Sequence, residues 1–178
     1  MSRKTPSILA GFLCGQGFVN KLGNIKKILD YGCGRGRDVS YYGQFGYDVA
    51  GYDPYEPYGF SALPTGTFDL ACLTYVLNVI PSNHERTDVI AKAASYIRPG
   101  GFVILVARSE KAIESNAERK GWKRHLDGYW SHEGRGMFEK GFVKEELINL
   151  SLGAGLVPHP LDIEMKFNSR TTSLILQK

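Results

Sequence analysis

At 178 residues the chain is long enough for one domain with a sizeable core and too short for two. Its 43% hydrophobic content and net charge of +4 belong to an ordinary globular protein, and the basic excess is too mild to mark a nucleic-acid binder. No apolar run is long enough to span a membrane. Cys14, Cys33 and Cys72 are odd in number and lack metal spacing, which favours a reduced, cytoplasmic setting.

The basic residues are unevenly spread. Arg3, Lys4, Lys21, Lys26 and Lys27 precede the first acid, residues 28–110 are acidic on balance, and 111–144 are basic again. Two basic regions around an acidic core suit an anionic substrate. Residues 1–27 read as an N-terminal helical segment. Within it, 5–22 carry Ile8, Leu9, Phe12, Leu13, Phe18 and Val19 in an amphipathic pattern that predicts one helix starting at Thr5-Pro6. Gly11, Gly15 and Gly17 interrupt the apolar run and argue against a signal peptide.

Strand and helix then alternate. Lys27–Tyr31 is a short strand, Arg37–Phe45 a helix, Asp48–Tyr52 a second strand and Phe68–Thr74 a third. Pro81–Ile97 is helical and ends at the breaker Arg98-Pro99-Gly100-Gly101; Phe102–Arg108 follows as a buried strand by its β-branched content. Phe142–Leu156 is a last helix, and Leu161–Phe167 with Thr172–Gln177 a closing pair of strands. Such alternation predicts a mostly parallel sheet with helices on both faces.

The chemistry concentrates between Ile28 and Asp53. A strand ends at Asp30; Gly32, Gly34 and Gly36 follow at alternate positions; a helix and a second strand then lead to Asp53. Strand, glycine turn, helix, strand and acid form a nucleotide-type cofactor site, in which the second acid accepts from two ribose hydroxyls. Dinucleotide enzymes space their glycines G-x-G-x-x-G to seat a pyrophosphate. Here an acid precedes G-x-G-x-G, and Asp30 would repel a pyrophosphate while suiting a cationic amino group.

Asp30-Tyr31-Gly32-Cys33-Gly34-Arg35-Gly36 resembles the first motif of the class I methyltransferases that depend on S-adenosyl-L-methionine. The resemblance implies a Rossmann-like α/β fold whose last strand inserts antiparallel. It also implies that Asp30, Tyr31, Gly32, Cys33 and Gly34 hold the methionine end of the cofactor, that Asp53 and Pro54 lie at the ribose and adenine, and that Leu73, Thr74 and Tyr75 lie beside the methyl. A narrower likeness joins Asp30–Gly36 with Asp38, Tyr52-Asp53-Pro54 and Tyr75–Ile80 to methyltransferases associated with DNA phosphorothioation. One departure is clear. Between Asp53 and Phe68 the family fits a helix and a third strand, whereas this chain has a Pro-, Gly- and Tyr-rich stretch too short for a crossover. About six strands are therefore expected, with the sheet shortened at its third-strand edge. Tyr52, Pro54 or Tyr55 is left to cover the adenine face.

Methyl transfer demands positioning above all, and a base where the nucleophile must lose a proton. Thr74-Tyr75-Val76-Leu77 stands where enzymes acting on exocyclic base amines carry Asp/Asn-Pro-Pro-Tyr/Phe, and no Pro-Cys nucleophile for cytosine C5 is present. Residues 111–141 read as an insertion for substrate recognition. Trp122, Arg124 and Trp130 offer planar and cationic contacts to an anionic or nucleic-acid-related acceptor, and His125, His132 and Tyr129 are candidates for proton transfer. His125, Asp127, His132 and Glu133 lack metal-site spacing. Two other readings share these motifs: a cofactor-binding scaffold or sensor without turnover, and an NAD-dependent oxidoreductase.

Overall fold

The computed structural model describes residues 5–178, so Arg3 and Lys4 of the basic N-terminal run lie outside it. Strands β1 (Lys27–Tyr31), β2 (Asp48–Tyr52), β3 (Phe68–Thr74) and β4 (Ile97–Arg108) are parallel; β9 (Thr171–Gln177) runs antiparallel against β4, and β8 (Val157–Pro158) against β9. The order is β2-β1-β3-β4-β9-β8, six strands with β2 at one edge. This is the mixed, Rossmann-like sheet that the strand–helix alternation predicts. Among the described residues no strand lies beyond β2, because the stretch after Asp53 forms a loop with one 3-10 turn, Glu56–Tyr58.

Side-chain alternation divides the sheet between two cores. Leu29, Ala71, Leu73, Val103, Leu105 and Leu174 face helices α3 (Asn83–Ser95) and α5 (Lys144–Leu152), which bring Ile90, Ala93, Leu147 and Leu150. Ile28, Leu70, Cys72, Ile104, Val106 and Ile175 face the other way, toward Tyr42 of α2 (Arg37–Gln44) and the N-terminal segment. Both faces are covered, so the middle of each central strand is apolar.

Three expectations need correction. The single helix over residues 5–22 is broken into an α-helical turn (α1, Ile8–Ala10), a π-helical turn over Gly11–Gly15 and a 3-10 turn over Phe18–Leu22. Gly17 takes a left-handed φ of 67°, which no helix continues through. Its apolar residues nevertheless reach the core: Leu9, Leu13, Phe18 and Val19 are all buried. Leu161–Phe167 is not a strand; Pro160 opens a 3-10 turn to Glu164, and the two-residue β8 pairs with β9 instead. The breaker Arg98–Gly101 lies inside β4, where a register shift against Phe68–Leu70 and a left-handed Gly100 absorb it.

The insertion folds as a unit. Helix α4 (Glu110–Lys120) leads into a three-stranded antiparallel sheet of β5 (Lys123–His125), β6 (Gly128–His132) and β7 (Met137–Glu139). Leu126-Asp127 is the two-residue turn between β5 and β6, and Asp127-Gly128 is the dipeptide signal that could have located it.

Candidate cofactor and acceptor site

The glycine turn leaves β1 at the carboxyl ends of the parallel strands. Where β1 lies between β2 and β3 the chain order reverses, and open α/β sheets hold their ligands at such a point. Gly32 and Cys33 donate their N–H groups to the carbonyl of Tyr52 at 2.7 and 3.0 Å, so the turn is fastened to the end of β2. Gly32 has φ 85°, and a Cβ there would come within 2.3 Å of Val76. At Gly36 a Cβ would meet the Phe60 ring at 2.2 Å, where the loop after β2 folds back on the turn. Gly34, by contrast, has open space around its α-carbon.

Asp53 closes the arrangement. One carboxylate oxygen accepts from the Gly34 N–H at 2.8 Å and the other from Tyr55 N–H at 3.0 Å. Each oxygen retains a further lone pair for a ligand. Asp30 is buried at the end of β1, 3% exposed. Cys33 is also buried, and burial, then Asp30 and Asp53, push its thiol up to about 12, so it stays protonated and is no nucleophile.

A cavity of about 530 Å³ opens beside this turn. Of the ten residues expected at the cofactor, Tyr31, Gly32, Asp53, Pro54, Thr74 and Tyr75 line it; Asp30, Cys33, Gly34 and Leu73 do not, and of these Asp30, Cys33 and Leu73 are buried. Tyr52 lines it too, whereas Tyr55 is 56% exposed and Tyr58 takes the wall in its place. Val76, Val79, Ile80 and Val89 complete an apolar wall that sequence reasoning missed. The Thr74 hydroxyl is buried without a hydrogen-bond partner among the described residues. Its neighbour Tyr75 has φ 62°, a conformation that a bulky side chain adopts at a cost of order 1–3 kcal/mol. An orphaned hydroxyl and a strained backbone at one cavity are what a ligand site carries. The cavity, the glycine cradle and the free lone pairs of Asp53 fit a cofactor with a ribose and a flat base.

The insertion is docked on the segment that forms part of this wall. Arg86 of α3, fully buried, donates to Ile80 and Pro81 carbonyls at 2.8 and 3.1 Å and makes a bidentate pair with Asp127 at 2.5 and 2.9 Å. Burial pushes the Asp127 carboxyl up, but Arg86 and Lys140 outweigh it and hold the group below the ordinary range. Asn78 accepts from Arg108 N–H at 3.0 Å and donates to the Lys140 carbonyl, joining the turn after β3 to both β4 and the end of β7. Arg86 lies on the same helical stripe as Ile90, Ala93 and Ala94, a position that could have flagged it.

The remaining sequence candidates share the small sheet. His125 stacks on Trp130 at 4.6 Å, and Tyr129 accepts from Arg124 at 3.2 Å. Trp122 and Tyr129 line a second hollow of about 400 Å³ against α4. None of Trp122, Arg124, His125, Tyr129, Trp130 and His132 lines the first cavity. Among the described residues no helix is long and apolar enough to cross a membrane.

Residues 14–157 match the model of a family described as a methyltransferase domain. The sheet order and the cavity define the class I methyltransferase fold. With that match over most of its length, the chain belongs to the methyltransferase-domain family. No curated protein matches it in sequence. Solved structures share the fold. An S-adenosylmethionine-dependent methyltransferase from Methanosarcina mazei superposes with TM-score 0.71 at 18% identity, over 90% of this chain and 96% of its own. A Burkholderia thailandensis 1,6-didemethyltoxoflavin N1-methyltransferase, bound to its substrate and S-adenosylhomocysteine, gives 0.65 at 18%, over 95% and 78%. An amino pentose methyltransferase from Micromonospora echinaspora, bound to S-adenosylmethionine, gives 0.64 at 14%, over 95% and 89%.

Proposed function

We propose that the chain holds S-adenosylmethionine in the cavity beside the glycine turn and methylates a small acceptor with planar or anionic character. The observation that carries this reading is the unpartnered Thr74 hydroxyl on the cavity wall, between the glycine turn and the strained Tyr75. Asp30 and the Tyr31–Gly34 turn take the methionine end, and Asp53 takes the ribose hydroxyls with the lone pairs that Gly34 and Tyr55 leave free. Tyr52, Pro54 and Tyr58 give the adenine a flat wall in place of the missing third strand. Thr74 and Tyr75 are placed beside the methyl group, with Leu73 buried behind them. When bound, the cofactor supplies a methyl made electrophilic by its sulfonium; the protein supplies alignment and removal of water.

The acceptor end belongs to the small sheet. Trp122 with Tyr129 at the second hollow, and Arg124 beside them, suit a planar ring with an acidic substituent. His125 and Trp130 stack beside Phe138 on the opposite face of that sheet, and His132 lies at the end of β6. Acceptors of two fold neighbours, a heterocycle and an amino pentose, are likewise small molecules. Exocyclic base amines and cytosine C5 are disfavoured, because Thr74-Tyr75-Val76-Leu77 carries neither motif and Cys72 is buried in the sheet.

Calorimetry with S-adenosylhomocysteine and with NAD tests the cofactor site. Binding of the first and silence from the second are expected; the reverse would refute the reading. An acceptor screen for S-adenosylhomocysteine release tests turnover and separates an enzyme from a cofactor sensor. Trp122→Ala and Arg124→Ala are expected to reduce that release while leaving cofactor affinity intact; loss of cofactor affinity in either would make the small sheet a structural prop.

A further inference from the structure

Glu139 is the last residue of β7 and is half-buried. Its place is fixed from two sides. Asn78 holds the neighbouring Lys140 through a backbone bond of 2.8 Å from Lys140 N–H to the Asn78 carbonyl, and through the Asn78 side chain to the Lys140 carbonyl. The same side chain accepts from the Arg108 N–H, and Phe142 N–H bonds the Arg108 carbonyl at 2.9 Å. The end of β7 is therefore pinned against the end of β4. Arg108, from β4, lays its guanidinium over the Tyr75 ring at 4.9 Å, and Tyr75 lines the cofactor cavity.

On its other side Glu139 is directly opposite Tyr129 in the antiparallel pair, so the two side chains share a face. Tyr129 lines the second hollow with Trp122. Glu139 lines neither hollow itself; its cross-strand partner Tyr129 lines the second, and Arg108, which acts on its charge, lies over Tyr75 of the first. Phe138 and Lys140, its neighbours in sequence, turn to the opposite face, toward Arg86 and Glu146 respectively. The charged groups that act on Glu139 are Arg108 from β4 and Lys120 from the end of α4. Neither removes it from use by a closed ion pair, since its carboxylate makes no salt bridge within 4 Å among the described residues.

We propose that Glu139 is the base that receives the acceptor's proton, and that the acceptor is a hydroxyl or amine entering from the Trp122–Tyr129 hollow. This rests on the cofactor reading given above. The acceptor's lone pair forms the new bond to the methyl carbon as the carbon–sulfur bond breaks. That bonding pair leaves with sulfur, and the proton on the acceptor oxygen or nitrogen passes to a Glu139 carboxylate oxygen. No further reactant is needed. Burial pushes the Glu139 carboxyl above its ordinary value, with Arg108 and Lys120 pulling against that, and a carboxylate so raised is a better base near neutral pH. Arg108 also has a second use, as the cationic partner for an acidic group on the acceptor.

Sinefungin tests this without knowledge of the acceptor. It carries an amine on a carbon in place of the sulfonium and methyl, so its cationic N–H groups point where the acceptor's proton would be. S-adenosylhomocysteine lacks both the methyl and the charge. Affinities of both ligands are measured by calorimetry for the wild type and Glu139→Gln. The expected result is about a ten-fold or greater loss for sinefungin in the variant, from one charge-assisted pairing, with S-adenosylhomocysteine within about two-fold. The retained product affinity also reports that the variant is folded. Equal effects on the two ligands, or none on either, would overturn the assignment. If the wild type binds neither ligand, the cofactor reading itself fails and the inference falls with it.

Discussion

Asp53 is both a ligand group and a hinge pin of the site. Its oxygens already fasten Gly34 and Tyr55, so the turn that is to receive the cofactor is held open by the acid that is to bind the ribose. Asp53→Ala removes both anchors and both ribose acceptors. With charge-assisted hydrogen bonds at about 1.5–3 kcal/mol each, S-adenosylhomocysteine affinity should fall on the order of a hundredfold or more. Unchanged affinity in the folded variant would remove Asp53 from the ribose site. The acid and glycines were legible in sequence because their chemistry is local: a positive φ and a strand-tip carboxylate are written in neighbouring residues. Thr74 was legible by position alone; its orphaned hydroxyl and the strain at Tyr75 depend on packing that no spacing encodes.

At the scale of elements, β1, β2 and β3 begin and end where their sequences predict, because each apolar run is bounded by Gly, Pro or charge. The N-terminal segment and the insertion were less legible. In the first, glycines outweighed an amphipathic pattern; in the second, strands of three to five residues carry too few alternations to be read against flanking charge. What holds the insertion in place is also non-local: Arg86 and Asp127 are 41 residues apart. Removing Asp127 leaves a fully buried guanidinium short of its carboxylate. Breaking a buried pair costs about 3–5 kcal/mol, and the 42% exposure of the Asp127 side chain lowers that to about 2 kcal/mol. Asp127→Ala should therefore lower the unfolding free energy read from urea titration by that amount, and hydrogen exchange should show β5–β7 losing protection before the main sheet. Uniform loss across both sheets would mean that the small sheet is not a separate cooperative unit.

A second charge ties strand ends in the main sheet. Asp69, near the start of β3, accepts from Lys26 and Lys27 N–H at 2.8 and 2.9 Å and from Arg98 Nε at 2.6 Å. Burial pushes its carboxyl up, but Arg98 and the two N–H groups prevail and hold it below the ordinary range. A carboxyl depressed on folding stabilises the native state above its unfolded value near pH 4, and that contribution is lost as the pH falls through the folded value. Asp69→Asn should thus cost about 1–3 kcal/mol at pH 7, and the gap from wild type should narrow below about pH 4. Parallel urea titrations at the two pH values check this; a gap independent of pH would show that the hydrogen bonds, not the charge, carry the effect.

Over the whole molecule, the class of fold follows from strand–helix alternation and one glycine turn, whereas the roles of its two ends follow from which sheet face lacks cover. Helices α3 and α5 cover one face. The other is covered by α2 and the stretch around Leu161, Met165 and Phe167, and whether the N-terminal segment packs there too decides between a lid and a structural role for residues 5–22. Leu9, Leu13, Phe18, Val19 and Leu22 are at most 6% exposed and sit in the same cluster as Ile28, Leu70, Ile104 and Ile175. Ser7 N–H bonds an Asp38 oxygen of α2 at 2.8 Å, anchoring the segment at its start. Each such side chain contributes about 1.5–3 kcal/mol by burial. Together they rival the whole net stability of a domain, about 5–15 kcal/mol. A chain lacking residues 1–22 should then bind a hydrophobic dye and lose its cooperative urea transition, with S-adenosylhomocysteine unable to restore it. A truncated chain that unfolds cooperatively near the full-length midpoint, and has lost cofactor affinity alone, would instead make the segment a lid.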